Sequence, residues 1–327
     1  MVTRNLFSKL IALISGIALV IVAYNHNNQT LYIIDGNAYG TTWSVTSTSY
    51  IGDHHKNNII SIINDIDYVA SNYKADSEIS LINQDNKTEY KISVDLFNIL
   101  QVAKTVENNS DGFYNIMMAR KSGELGFSPN FGSTDIQKFV SSYRLNDDSF
   151  ILYKDSSNWF DLSSVAKGYA VQKIHEYLII NKLTNHLIDI GGEIIINGTN
   201  NNDAWKVGIQ DPSSLINKSI KILSNKNSSF LAIATSGEYR NFKFDSFGKK
   251  ISHSINPNTL QSINNEIHSV TVLHDNSAAY ADAYATLFNV MGFEKAFDKA
   301  SNLDIAVMFI LDDGKMIFSK KWYDLQL

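Results

Sequence analysis

Near the C-terminus of this 327-residue chain, Tyr280-Ala281-Asp282-Ala283-Tyr284-Ala285-Thr286 sets a carboxylate and a hydroxyl four residues apart. On a helix that spacing puts both oxygens on one face, one turn apart. Hard oxygen donors so placed suit Mg²⁺, which keeps few protein ligands and takes the rest from water and substrate phosphates. The same pair also suits a plain solvated helix face. A second segment, Asp161-Leu162-Ser163-Ser164-Val165-Ala166-Lys167-Gly168-Tyr169-Ala170, adds an acid, two serines and a lysine. Together the two point to a metal-assisted reaction on a phosphorylated cofactor.

Three further segments carry chemical potential, each beside a simpler reading. Asp189-Ile190-Gly191-Gly192-Glu193 holds two glycines that allow close backbone approach to a ligand, or a strand-to-strand turn. Ala234-Thr235-Ser236-Gly237-Glu238-Tyr239-Arg240-Asn241 mixes hydroxyls, a glycine and a fixed cation. That mixture suits a phosphate or polar ring edge, and equally a surface turn with an arginine ion pair. His253, in Ser252-His253-Ser254-Ile255-Asn256-Pro257, is a candidate general base because imidazole titrates near neutrality; a structural histidine is the alternative. The usual nucleotide-binding loops, the nucleophile elbow and the H-E-x-x-H zinc signature are absent.

The elements that must position these residues read as mixed helix and strand. Ile59, Ile62, Ile63, Ile66, Val69, Ala70 and Tyr73 keep a 3.6-residue period and predict a helix. Leu96, Ile99, Leu100, Ala103 and Val106 predict a second, ending by Asn108–Gly112. A third is expected after Ser163-Ser164, which can cap it, and a fourth over Ala278–Val290. Strands are expected at Leu31–Ile34, Thr41–Thr46, Leu187–Ile190, Ile194–Ile196, Trp205–Ile209 and Leu231–Thr235, with a closing hairpin of Ile305–Ile310 and Met316–Phe318. Hydrophobic residues at 44% and charged residues at 19% describe a globular protein, and a net charge of −5 argues against a nucleic-acid surface. The fold class is α+β, one interleaved domain over 25–327.

Residues 1–24 carry a targeting signal. Arg4 and Lys9 precede an uncharged apolar run from Leu10 to Tyr24, which suits either a cleaved signal peptide, with Ala23 near the cut, or a membrane anchor. The positive-inside rule puts the rest of the chain on the outer side, at the inner membrane or in the periplasm. With no cysteine the chain is no lipoprotein and forms no disulfide.

Taken in order, Gly40-Thr41-Thr42-Trp43-Ser44-Val45, Asp76-Ser77-Glu78-Ile79-Ser80 and the four segments Asp161–Ala170, Asp189–Glu193, Ala234–Asn241 and Ser252–Pro257 precede Tyr280–Thr286 in a pattern that resembles the ApbE family, the FAD:protein FMN transferases. The resemblance implies an α+β fold with an arrangement like T-fold modules. It implies cleavage of Mg²⁺-bound FAD at its pyrophosphate, transfer of FMN to a threonine hydroxyl of another protein, and release of AMP. Matched residue by residue, it assigns Asp282, Thr286 and the Ser164 carbonyl to the metal, and Asp161 and Lys167 to FAD. His253 matches the base for the acceptor hydroxyl, while Tyr39, Tyr73, Phe113, Tyr114, Asn115 and Ile255 fall at flavin or adenine contacts. Three places depart from the family pattern: Tyr39 for a methionine, Gly112-Phe113-Tyr114-Asn115-Ile116 where the family has Gly-x-Phe-Asp-Pro, and Ser254 and Asn256 beside the histidine. Family acceptor sites read Asp/Ser-x-x-Ser/Thr-Gly-Ala-Ser/Thr, and this chain has no Gly-Ala pair, so the target is a separate protein. FAD hydrolysis to FMN and AMP, or non-catalytic flavin carriage, are the alternative functions.

Overall fold

The computed structural model describes Lys9 and residues 13–20, 30–129, 143–154, 159–214, 218–237, 242–244, 248 and 250–326. Of the expected leader, Lys9 and residues 13–20 are helical and exposed; the remainder lies outside the described residues. No described helix is long and apolar enough to cross a membrane.

An eight-stranded sheet organises the chain, and its strands lie side by side in sequence order, every neighbour antiparallel. They are β1 (Tyr32–Ala38), β2 (Thr41–Ser47), β3 (His186–Ile190), β4 (Glu193–Asn197), β5 (Phe230–Gly237), β6 (Ile267–His274), β7 (Ala306–Leu311) and β8 (Met316–Phe318). In such a meander the β1–β2, β3–β4 and β5–β6 connections all gather at one end of the sheet. The expected strands all form: β1 runs four residues further than expected, to Ala38, the other ends move by at most two, and Lys206–Gln210 pairs outside this sheet with Ser219–Ser224.

Side chains alternate between the two faces of the sheet, and both faces are covered. Ile195, Ala232, Val270, Val272, Val307 and Phe309 face the main helical core, while Ile194, Ile196, Leu231, Ile233, Met308 and Ile310 enter a second core with Trp205 and Trp322. Each fully buried side chain of this size contributes about 1.5–3 kcal/mol, so the sheet is anchored from both sides.

Among the described residues, the connection between β2 and β3 supplies five helices: α1 (Asp53–Ala70), α2 (Glu78–Gln84), α3 (Val94–Asn108), α4 (Ala119–Glu124) and α5 (Ala166–Ile180). After β6 come α6 (Ala278–Met291) and α7 (Phe293–Asn302), and α8 (Lys320–Gln326) follows β8. The central helix is α6. Alanines at 278, 279, 281, 283 and 285 favour the helix, Ser277 caps it by accepting the Tyr280 N–H, and Gly292 ends it at φ 77°. Twelve of its fourteen residues are buried, so it is no surface helix and Asp282 does not sit on a solvated face.

Two local expectations need correction. The first helix stops at Ala70, three residues short of Tyr73, because Ser71 turns to extended backbone and its carbonyl accepts the Ser77 and Ser80 hydroxyls. Tyr73 is therefore 72% exposed, not part of the buried stripe. Nor does Ser163-Ser164 cap α5 with a side chain: the first flanking residue is Val165, and the Ser164 hydroxyl pairs with Tyr114 Oη at 2.9 Å.

Candidate active site

The gathered connections at one end of the sheet, with the ends of α1 and α5 and one face of α6, line a cavity of about 800 Å³. Its wall contains Tyr39 from the β1–β2 turn, Tyr73 from the loop after α1, and Phe113, Tyr114 and Asn115 from the loop after α3. Asp161, Ser164 and Lys167 enter from the start of α5, His253 and Ile255 from the β5–β6 connection, and Asp282 and Thr286 from α6. The structure thus brings to one cavity every residue that the family resemblance matched to a metal, FAD or acceptor-side position. That volume lies within the range of small-molecule and cofactor sites.

The close approach of α5 to α6 builds the centre of the site. A methyl group at Gly168 would stand 2.3 Å from the Ala278 carbonyl oxygen and 2.7 Å from the Asp282 Cβ, so only glycine lets the helices meet here. In a regular helix the Gly168 N–H would close on the Ser164 carbonyl; here it donates to Asp282 Oδ2 at 2.9 Å. The two segments that read as metal donors are therefore tied through one backbone N–H. Asp282 is 5% exposed, and burial raises its carboxyl pKa although Lys167 opposes the shift. A buried carboxylate whose own protein leaves it short of positive charge is a fit partner for a divalent cation. Thr286 adds a hydroxyl one turn on. Among the described residues no group of three or more His, Cys, Asp or Glu is placed to hold a metal.

Lys167 Nζ lies 2.6 Å from Glu193 Oε1. Burial raises the Glu193 pKa; Lys167 lowers it and Asp282 raises it, and burial outweighs the ion pair. Glu193 stands at the start of β4, just past the two-residue turn in which Gly191 and Gly192 both take positive φ. The glycine pair thus forms a hairpin turn, and Gly191 lines the cavity together with Glu193. Of the Ala234–Asn241 segment, Thr235, Ser236 and Gly237 line the cavity, and 238–241 lie outside the described residues.

Several supporting side chains carry no motif by which the sequence could reveal them. Asn72 and Asn83 both donate to the Phe160 carbonyl, and Asn83 accepts the Phe160 N–H, which pins the stretch of chain leading to Asp161 and Ser164. Asp161 accepts the Ser163 N–H and the Ser128 hydroxyl. Buried amides of this kind leave no periodic signal either. Two of the departures from the family pattern find partners: Asn115 Oδ1 accepts the Met117 N–H at 2.7 Å, and Tyr39 Oη donates to the Ile63 carbonyl at 2.7 Å. Tyr114 is 4% exposed, and burial raises its pKa far above the ordinary phenol range. His253 is partly buried, with the Phe127 ring edge-on at 6.2 Å.

Comparison with known proteins bears on the family and the fold. The model of the ApbE family matches residues 39–309. The FAD:protein FMN transferase of Vibrio cholerae is 30% identical over 299 residues, covering 86% of this chain and 88% of that protein. That of Escherichia coli is 26% identical over 313 residues, covering 90% and 87%. Among solved structures, the flavin transferase ApbE from Vibrio cholerae superposes with a TM-score of 0.77 at 26% identity, over 90% of this chain and 99% of that one. The apo flavinyl transferase of Pseudomonas stutzeri shares the fold with a TM-score of 0.78 at 21% identity, over 91% and 97%. With the family model spanning most of its length, this chain belongs to the ApbE family.

Proposed function

We propose that the chain is an FAD:protein FMN transferase that uses Mg²⁺ and delivers FMN to a threonine hydroxyl of a separate protein. The observation that carries this reading is the single cavity in which Asp282, the Ser164–Gly168 turn, Lys167 and His253 converge. Asp282, Thr286 and the Ser164 carbonyl would hold Mg²⁺, which when bound neutralises charge on the pyrophosphate. Asp161, Tyr39, Tyr73, the Phe113–Asn115 loop and Ile255 bind the flavin and adenine ends of FAD.

The reaction divides among the remaining groups. A ring nitrogen of His253 takes the proton from the acceptor hydroxyl, whose oxygen bonds to the flavin-side phosphorus. The bond from that phosphorus to the bridging oxygen breaks, and AMP leaves with that oxygen. Lys167, held by Glu193, presents a positive charge to the phosphates as the leaving group develops.

Incubation with FAD, Mg²⁺ and a peptide carrying Asp-x-x-Thr-Gly-Ala-Thr, read by mass, tests the reading. The expected result is a peptide heavier by one FMN, together with free AMP. FMN and AMP without a peptide adduct would mean hydrolysis instead, and FAD retained intact would mean a carrier.

The catalytic domain works on the outer side of the membrane in this reading, supported by Arg4 and Lys9 ahead of the apolar run. Protease added to intact spheroplasts should digest it; full protection would contradict this location.

A further inference from the structure

The chain entering α5 stops short of a regular helical start. The Val165 and Ala166 N–H groups both donate to the Leu162 carbonyl, but the Gly168 N–H passes Ser164 by and donates to Asp282. No hydrogen bond among the described residues reaches the Ser164 carbonyl. The peptide that carries this carbonyl is fixed on its other side, since the Val165 N–H donates to Leu162 at 3.1 Å. In a trans peptide the Ser164 carbonyl therefore points away from Leu162. Closing the bond from Gly168 to Ser164 would extend the α5 ladder, but it would occupy the carbonyl and strip Asp282 of its N–H donor.

A hydroxyl holds Ser164 out of that bond. Its Oγ lies 2.9 Å from Tyr114 Oη. Tyr114 is buried and comes from the loop after α3, which Ser110 makes rigid: Ser110 Oγ donates to the Glu107 carbonyl and accepts the Gly112 N–H, and the Phe113 N–H donates to the Ser110 carbonyl. Burial keeps the phenol protonated, and Asp282 stands near enough for its charge to add to that effect. The hydroxyl pair thus lies beside the proposed metal donors. Tyr114 also occupies the position where the family pattern has phenylalanine, which carries no hydroxyl, so the shared pattern does not account for this bond.

We propose that Tyr114 is a positioning residue for the divalent cation: its hydroxyl holds Ser164 so that the carbonyl stays a donor and the Gly168 N–H stays on Asp282. The inference rests on the Mg²⁺ assignment of the proposed function and adds the group that keeps two of its donors in place. Without the hydroxyl, the Gly168 N–H turns to the Ser164 carbonyl as in any α-helix, and both donors are spoiled together. A neutral hydrogen bond shifts such a balance by a factor on the order of ten at most, so cation binding weakens without being abolished.

The test titrates Mg²⁺ into the full chain with FAD held saturating and no acceptor present, reading the melting temperature, which rises as the cation binds. Tyr114→Phe should move the midpoint of that rise to a Mg²⁺ concentration about fivefold higher. Ser164→Ala removes the same bond from its other partner and should give the same shift, and the double variant should shift no further than either single one. Ser164→Thr keeps the hydroxyl and should stay near the wild type. A merely structural bond would lower the melting temperature in EDTA and leave the Mg²⁺ midpoint unmoved. That result, shifts that add in the double variant, or a Ser164→Thr midpoint as high as that of Ser164→Ala would each overturn the positioning role. An unaltered chain whose melting does not respond to Mg²⁺ would instead remove the metal assignment, and the positioning role with it.

Discussion

Replacing Asp282 with alanine is expected to reduce FMN transfer by a factor on the order of 10²–10³ while the protein stays folded. A divalent cation on a pyrophosphate contributes several kcal/mol to the barrier, and each 1.36 kcal/mol is about tenfold in rate. Asp282 is the one carboxylate in the proposed donor set, so its loss removes most of the charge that would hold the ion. Stability moves less, because two effects oppose each other. The Gly168 N–H loses its acceptor, at a cost of about 1–3 kcal/mol, while a buried carboxylate that burial already disfavours is removed. Asp282→Asn separates the contributions, since it keeps an oxygen for the Gly168 N–H and discards the charge. Both variants should melt close to the wild type and require far more Mg²⁺ for any turnover. Near-normal turnover of Asp282→Ala at limiting Mg²⁺ would sink the metal assignment.

His253→Ala should lose transfer by a factor on the order of 10²–10⁴ and keep FAD affinity. A threonine hydroxyl is a poor nucleophile at neutral pH, and in the proposed mechanism this imidazole removes its proton. Asp161, Lys167 and the Asp282 centre lie on other elements of the wall and remain in place. The competing account is that His253 packs against the flavin, as its contact with Phe127 would allow. Flavin fluorescence measured beside the transfer rate distinguishes the two. If binding and rate fall in equal proportion, His253 belongs to the cofactor surface and the base assignment is wrong.

Much of the architecture could be read from local pattern. Long periodic runs such as Leu96 to Val106 and the alanine-rich stretch around Asp282 announced their helices, and the apolar runs at 187–190, 194–196 and 231–235 their strands. The eight-residue strand β6 escaped despite its length, as did Ser219–Ser224 and other elements: the strands Glu89–Lys91, Arg144–Asn146 and Ile151–Tyr153, the hairpin of Phe242–Phe244 and Lys250–Ser252, and α2, α4, α7 and α8. Three- to seven-residue elements carry too few periods to stand out, and α7 is amphipathic over only ten residues. The misplacement of Tyr73 has a related cause. Its spacing extends the buried stripe of α1, and only the serines at 77 and 80, reaching back to the Ser71 carbonyl, stop the helix.

For the candidate site, the sequence by itself determined which chemical groups are available and in what order: Asp161, Ser164, Lys167, His253, Asp282 and Thr286, and the absence of cysteine. The i,i+4 spacing of Asp282 and Thr286 placed both on one helix face, but could not say whether that face met water. Tertiary structure decided this, because a helix buries whichever faces its neighbours cover, and α6 is covered by both α5 and the sheet. Gly168 became legible only there, as the point where two helices come too close for a methyl group. Glu193 likewise lay inside a recognised segment without a role until the β3–β4 turn brought it 2.6 Å from Lys167. Local spacing sets the direction of a side chain on its own element. Burial, the charge a neighbour supplies and the distance between segments far apart in the chain are set by packing, and those are the quantities that make these groups a site.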